Sequence, residues 1–199
     1  MNLSVAEEFR KIKEEVSSCK KCSLYKERIK GGFYPVVGEG NYQAKIILVG
    51  EAPGLNEAKT GRPFCGAAGK ILDELLDSIG IKREEIYITN ILKDRPPRNR
   101  NPKKEEIEAC TPHLERQIEA IKPEVICTLG NYSTVFIMDK HGLKNYIQGI
   151  SKIHGKIFAA KDLFQNVKII PLYHPAVATY NIKMKETLKE DFKILEKFK

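Results

Sequence analysis

Residues 44–50 read AKIILVG, four consecutive aliphatic side chains stopped by a glycine, and the chain continues Glu51-Ala52-Pro53-Gly54. An apolar run without polar alternation suits a strand covered on both faces, the habit of a parallel sheet. Three more runs have the same character: residues 86–92 (IYITNIL), 124–130 (EVICTLG) and 167–173 (VKIIPLY). Helical periods separate them. Ile71, Leu72, Leu75, Leu76 and Ile79 share a stripe ended by Gly80, and Ile107, Cys110, Leu114, Ile118 and Ile121 share another. A short helix capped by Asn131 is expected over 131–138, and a last one over 183–199 carries Met184, Leu188, Phe192, Leu195 and Phe198. Strands alternating with helices predict an α/β sandwich: a central, mostly parallel four-stranded sheet with helices on both faces.

Upstream, Ser4-Val5-Ala6-Glu7 has capping-box spacing ahead of a stripe of Leu3, Phe9, Ile12 and Val16. That helix should end near Ser17-Ser18, followed by a loop with Cys19 and Cys22 and an irregular lead-in over 31–43. The 199 residues are read as one domain, 1–199, with residues 1–43 as its N-terminal helix and cysteine-containing lead-in. A domain of this size buries a core without disulfide staples. The 42% hydrophobic and 30% charged composition excludes whole-chain disorder. No apolar run approaches membrane-span length and the amphipathic N-terminus lacks a signal-peptide core, so an intracellular location, cytoplasm or nucleoid, is expected. Five cysteines in a reducing compartment point to metal ligation, catalysis or burial. The net charge of +8 favours, weakly, a polyanionic partner.

In an open parallel sheet ligands bind outside the carboxyl ends of the strands. Glu51 and Ala52 follow the first strand, with a polar loop closing on Gly61-Arg62-Pro63-Phe64-Cys65-Gly66 at a helix start. Asn90 ends the second strand and Tyr173-His174-Pro175-Ala176 follows the fourth. Taken singly, such an Asn is a turn residue, the His a satisfied surface group and the Phe a core residue. An acid, an aromatic, an amide and an imidazole on one sheet edge make a site. Beside it, residues 93–104 hold Lys93, Arg95, Arg98, Arg100, Lys103 and Lys104 against one acid, Asp94, in a proline-stiffened loop. Charges held this way suit phosphate contacts that fix register without reading sequence; the plainer reading is a solvated basic turn.

These motifs together resemble the family 4 uracil-DNA glycosylases, the thermostable type with an iron–sulfur cluster. The matching pieces are Cys19-x2-Cys22, GEAPG, TGRPF, TN, RPP, NRNP, the helix around Cys110, the LGN turn and YHPA, in the family's order over nearly the whole chain. The resemblance implies a DNA-repair enzyme of base excision, a hydrolase that flips deoxyuridine from single- or double-stranded DNA, cuts its N-glycosidic bond and leaves an abasic site. It implies a monomer without membrane association. Phe64 would stack on the base, Asn90 would accept from uracil N3–H and donate to O4, and His174 would donate to O2 as the base leaves. The GQDPY-type enzymes have an Asp at the position of Ala52, so the water must be positioned by another acid. Glu51 is the first choice; Glu57 is the second and also lines the pocket. Gly54 stands where those enzymes place a methyl-excluding Tyr, so exclusion of thymine must come from elsewhere.

The family pattern supplies four cysteines to a structural [4Fe–4S] cluster. Cys19, Cys22 and Cys110 are in register, whereas the fourth position is Asp94. Asp94 is the favoured fourth ligand and Cys127 the alternative, although Cys127 inside an apolar strand suits simple burial better. A labile, three-iron or absent cluster is the remaining option. Val177 or Tyr180 would be the wedge that enters the vacated stack, or would simply pack on the last helix. Two other functions compete: a same-fold glycosylase for mismatched thymine or hypoxanthine, and a non-catalytic binder of damaged or single-stranded DNA. The joint presence of Phe64, Asn90 and His174 argues against the binder, because phosphate contact needs none of them.

Overall fold

A computed structural model describes residues 4–161 and 166–199; Leu3, at the head of the first apolar stripe, lies outside them. Six strands form one sheet: β1 (Glu39–Gly40), β2 (Ile46–Gly50), β3 (Tyr87–Asn90), β4 (Val125–Leu129), β5 (Phe158–Lys161) and β6 (Asn166–Leu172), in the order β1-β3-β2-β4-β6-β5. The four apolar runs are its parallel centre, β3-β2-β4-β6. The two remaining strands close the edges antiparallel, β1 on β3 and β5 on β6. The expected four-stranded parallel sheet is therefore the middle of a six-stranded mixed one.

Period-two alternation divides each central strand between two cores. Ile47 and Val49 of β2, with Ile126 and Ile169, face α1 (Val5–Ser18), α5 (Lys104–Ile121) and α6 (Asn131–Lys140), which contribute Phe9, Leu114, Ile118, Ile137 and Met138. Ile46 and Leu48, with Ile88, Cys127 and Ile170, face the other side. There α4 (Ala67–Ser78), α9 (Met184–Phe192) and a C-terminal 3-10 turn supply Leu72, Leu75, Leu76, Leu188, Phe192 and Leu195. Four shorter α-helices lie among the described residues: α2 (Leu24–Gly31), α3 (Leu55–Thr60), α7 (Ile150–Ile153) and α8 (Val177–Tyr180). The helix α2 lies between the cysteine loop and the lead-in, in a stretch without an apolar stripe.

The connections explain where a ligand fits. From β2 the chain crosses one face through α4 to β3, then the opposite face through α5 to β4 on the other side of β2. That reversal of winding leaves a crevice at the carboxyl edge. At α1, Ser4 and Glu7 form the expected capping box. The cap of α6 is Gly130 rather than Asn131, with no side-chain cap bond. A Cβ at Gly130 would lie 3.2 Å from the Cβ of His174, so glycine there lets the imidazole loop settle over the end of β4. Among the described residues no helix is long and apolar enough to cross a membrane.

Candidate active site

The carboxyl ends of β2 and β3, together with the segment after β6, border an open cleft of about 480 Å³. Glu51, Ala52, Gly54, Glu57, Phe64, Asn90 and His174 all line it, and so do Asn99, Arg100 and Tyr180 from the rim. The residues that sequence reasoning gathered at one sheet edge therefore share one space.

Backbone shape controls the aromatic wall. Phe64 has φ 47°, a left-handed conformation that a bulky side chain rarely takes and that costs about 1–3 kcal/mol. A Cβ at Gly69 would collide with the Phe64 carbonyl, so the first turn of α4 presses directly under this residue. A Cβ at Gly50 would collide with Asn90 Oδ1 and approach Phe64 Cζ to 2.9 Å. Gly50 thus allows amide and ring to close on each other above the end of β2. The Phe64 and His174 rings stand 5.5 Å apart with an interplanar angle of 31°.

The polar groups have different commitments. The Asn90 amide, on a residue 2% exposed, makes no hydrogen bond among the described residues, and no partner there fixes its orientation. His174 Nδ1 accepts the Ala176 backbone N–H at 3.2 Å, which leaves the ring proton on Nε2. Burial pulls the His174 imidazolium down to about 4, against a weaker opposing pull from Glu57, so the ring is neutral near pH 7. The Glu51 carboxylate has no partner among the described residues, and burial raises its pKa. Glu57, by contrast, is engaged: Oε1 accepts the N–H groups of Cys65 and Gly66 at 3.0 and 3.1 Å, ahead of α4. Glu57 shapes the turn that presents Phe64, and Glu51 is unengaged among the described residues.

The basic loop differs from its sequence reading. Lys93 is not a surface cation: it is 2% exposed, and burial lowers it to about 7. A phosphate cannot reach it. Arg100 grips the fully buried Glu106 carboxylate through both terminal nitrogens, at 2.9 and 2.5 Å, which anchors the loop to α5 and occupies its charge. Arg95 donates to Asn99 Oδ1 at 2.7 Å. Arg98 is exposed and, among the described residues, free of ion pairs, in a turn where it and Asn99 both have φ 54°. Of the two wedge candidates, Val177 packs on the core while Tyr180 stands 77% exposed at the cleft rim. Ile182, two residues further on, is 70% exposed.

Behind the cleft, Cys19, Cys22, Asp94 and Cys110 line one narrow cavity of about 10 Å³ with Lys93 and His113. Cys127 is on the opposite face of the sheet from Cys110, packed in the other core, and cannot join them. Asp94 carries a buried ion pair: Arg28 Nη1 lies 3.1 Å from both carboxylate oxygens, and the same guanidinium reaches Val16 O and Cys19 O. Burial nevertheless holds Asp94 above the usual carboxylate range, against the pull of Arg28. Among the described residues no group of His, Cys, Asp and Glu converges on a single metal ion. A polynuclear cluster makes a different demand, because each ligand meets its own iron. Three thiols and a carboxylate around a common cavity fit that donor set, and both ring nitrogens of the neighbouring His113 are buried without hydrogen bonds. The cavity walls would have to spread to admit the cluster.

The fold and the cleft define an α/β protein with a ligand site at the carboxyl edge of its sheet. Residues 37–198 match the Uracil DNA glycosylase superfamily, to which this chain belongs. It is similar to the Type-4 uracil-DNA glycosylase of Sulfurisphaera tokodaii, 49% identical over 92% of this chain and 81% of that one. The enzymes of the same name from Archaeoglobus fulgidus (46%, covering 92% and 88%) and Saccharolobus solfataricus (45%, covering 92% and 82%) are also similar.

Proposed function

We infer that this chain is a uracil-DNA glycosylase that hydrolyses the N-glycosidic bond of deoxyuridine in DNA. The observation that carries the reading is the shared cleft, in which an amide and a carboxylate without partners among the described residues meet a neutral imidazole and a flat aromatic at the carboxyl edge of the sheet. A base swung out of the duplex stacks on Phe64, an interaction worth about 1–3 kcal/mol. The Asn90 amide offers an acceptor to uracil N3–H and a donor to O4. Cytosine reverses both, so in the amide orientation that suits uracil it leaves polar groups unpaired, at about 1–3 kcal/mol each, and is matched only where the amide turns over.

The proton on His174 Nε2 suits donation to uracil O2, where negative charge builds as the C1′–N1 bond breaks. A neutral donor fixed beside that oxygen stabilises the charge without transferring its proton. Glu51 holds a water against C1′, and as the sugar becomes oxocarbenium-like, the oxygen of that water bonds to C1′. The pair of electrons of the broken bond leaves with the uracil, and the proton of the water passes to the carboxylate. Tyr180 fills the vacated stack, and Arg98 contacts a phosphate.

Cys19, Cys22 and Cys110, with the remaining lone pairs of Asp94 as fourth donor, would hold an iron–sulfur cluster. When bound, such a group supplies a cross-link between the N-terminal loop, the basic loop and α5, with no part in bond cleavage. The test of function uses duplexes containing uracil, thymine opposite guanine, or hypoxanthine, followed by alkali. Strand breaks at uracil are expected; breaks only at thymine or hypoxanthine, or none, would contradict the assignment.

A further inference from the structure

Three residues after Asn90 the chain turns back and threads Lys93 beneath it. The ammonium nitrogen donates three hydrogen bonds of 2.8 Å each, to Thr89 Oγ1, to the backbone oxygen of Asn90 and to Gln117 Oε1. An ammonium has three N–H donors and no acceptor, so the set is complete. No carboxylate is among these partners. Gln117, on α5, is itself held by its amide nitrogen to Val37 O at 2.9 Å and to Tyr87 Oη at 3.0 Å. Thr89 Oγ1 donates to Val37 O at 2.8 Å. The network therefore spans β3, the lead-in to β1 and α5.

Placing a cation in the interior without a counter-charge is costly, and an apolar side chain would fill the space at lower cost. In return, the ammonium fixes the relative positions of the three acceptors that it bonds. Every bond of the Lys93 ammonium goes to Asn90 or to a residue that braces the end of β3. The Asn90 amide itself has no hydrogen bond among the described residues, so its position depends on the backbone that carries it. We propose that Lys93 is a positioning residue for base recognition, holding the Asn90 peptide at the depth from which its amide meets the edge of the flipped base, with Gln117 as the brace that holds Lys93. This rests on the reading of Asn90 as a base-recognition residue.

Lys93 also borders the cysteine cavity, so the experiment separates the two routes with a double-mutant cycle of Lys93→Met and Asn90→Ala on the full chain, read as single-turnover excision of uracil. Lys93→Met is expected to slow excision by about 10- to 100-fold, the usual effect of a slight misplacement. In the Asn90→Ala background it should cost nothing further. It should also weaken inhibition by free uracil while leaving affinity for abasic-site DNA unchanged. Where Lys93→Met fails to fold, Gln117→Leu, which removes one of the three acceptors, replaces it in the same cycle. Factors that multiply in the double variant, or wild-type rates in the single one, would overturn the proposal. Unimpaired excision by Asn90→Ala would instead remove the base-recognition reading beneath it.

Discussion

The backbone N–H of Ala176 donates to His174 Nδ1 across a two-residue turn. This one bond selects the tautomer with its proton on Nε2 and aims that proton away from the turn. With burial holding the imidazolium near 4, His174 is a fixed neutral donor across the physiological range, and its titration lies outside the working pH.

The acid limb of activity therefore belongs to Glu51. Its carboxylate is the competent form and its pKa is raised by burial, so excision falls as pH drops through that raised value. Glu51→Gln should lower the single-turnover rate by about a hundred-fold or more and abolish the limb. His174→Gln should lower the rate while leaving the limb in place. A limb near the ordinary histidine value that vanishes in His174→Gln would reverse the assignment.

Gly50→Ala tests the close approach of amide and ring. The added methyl collides with Asn90 Oδ1 and crowds Phe64, so excision should drop by about ten-fold or more. Affinity for undamaged DNA, measured by fluorescence anisotropy, should hold, because Arg98, the side chain assigned to phosphate, lies in the loop after β3.

The buried Arg28–Asp94 pair predicts an asymmetry in stability. Arg28→Met leaves a buried carboxylate unpaired and should cost about 3–5 kcal/mol in urea unfolding. Arg28→Met combined with Asp94→Leu should recover part of that loss, since both charges then leave the interior together. Iron content of the anaerobically purified variants reports separately on the cysteine cavity: Cys19, Cys22 or Cys110→Ala should lose iron, and Cys127→Ala should keep it.

The two arginines of the basic loop should separate by salt. Arg98→Ala should reduce the slope of log affinity against log salt by about 0.9, the value of one released counterion. Arg100→Ala should leave the slope nearly unchanged and lower the stability of the loop, because that side chain is bound to Glu106.

These contrasts mark where sequence stops being informative. The parallel core was legible because strands buried on both faces have no polar alternation, and the site followed because strand ends in such a sheet collect on one edge. Helix α2 was not: within LYKERIKG only Leu24 and Arg28 are buried, too few for an apolar stripe. The importance of Arg28 depends on Asp94, which is distant in the chain. The edge strands are two and four residues long, below what periodicity can register. Lys93 and Arg100 look like phosphate contacts in the sequence, because a basic loop shows its composition but not which side chains turn inward. The positive φ of Phe64 is equally silent in sequence, since Gly69, the residue that permits it, sits inside an ordinary helical period.

The central claim is that Glu51, Phe64, Asn90 and His174 enclose one flipped uracil. A crystal structure with free uracil tests it most directly. The account predicts the ring lying on Phe64, its N3–C4 edge within hydrogen-bond distance of the Asn90 amide and its O2 facing His174 Nε2. Uracil bound elsewhere, or oriented with neither contact, would contradict it.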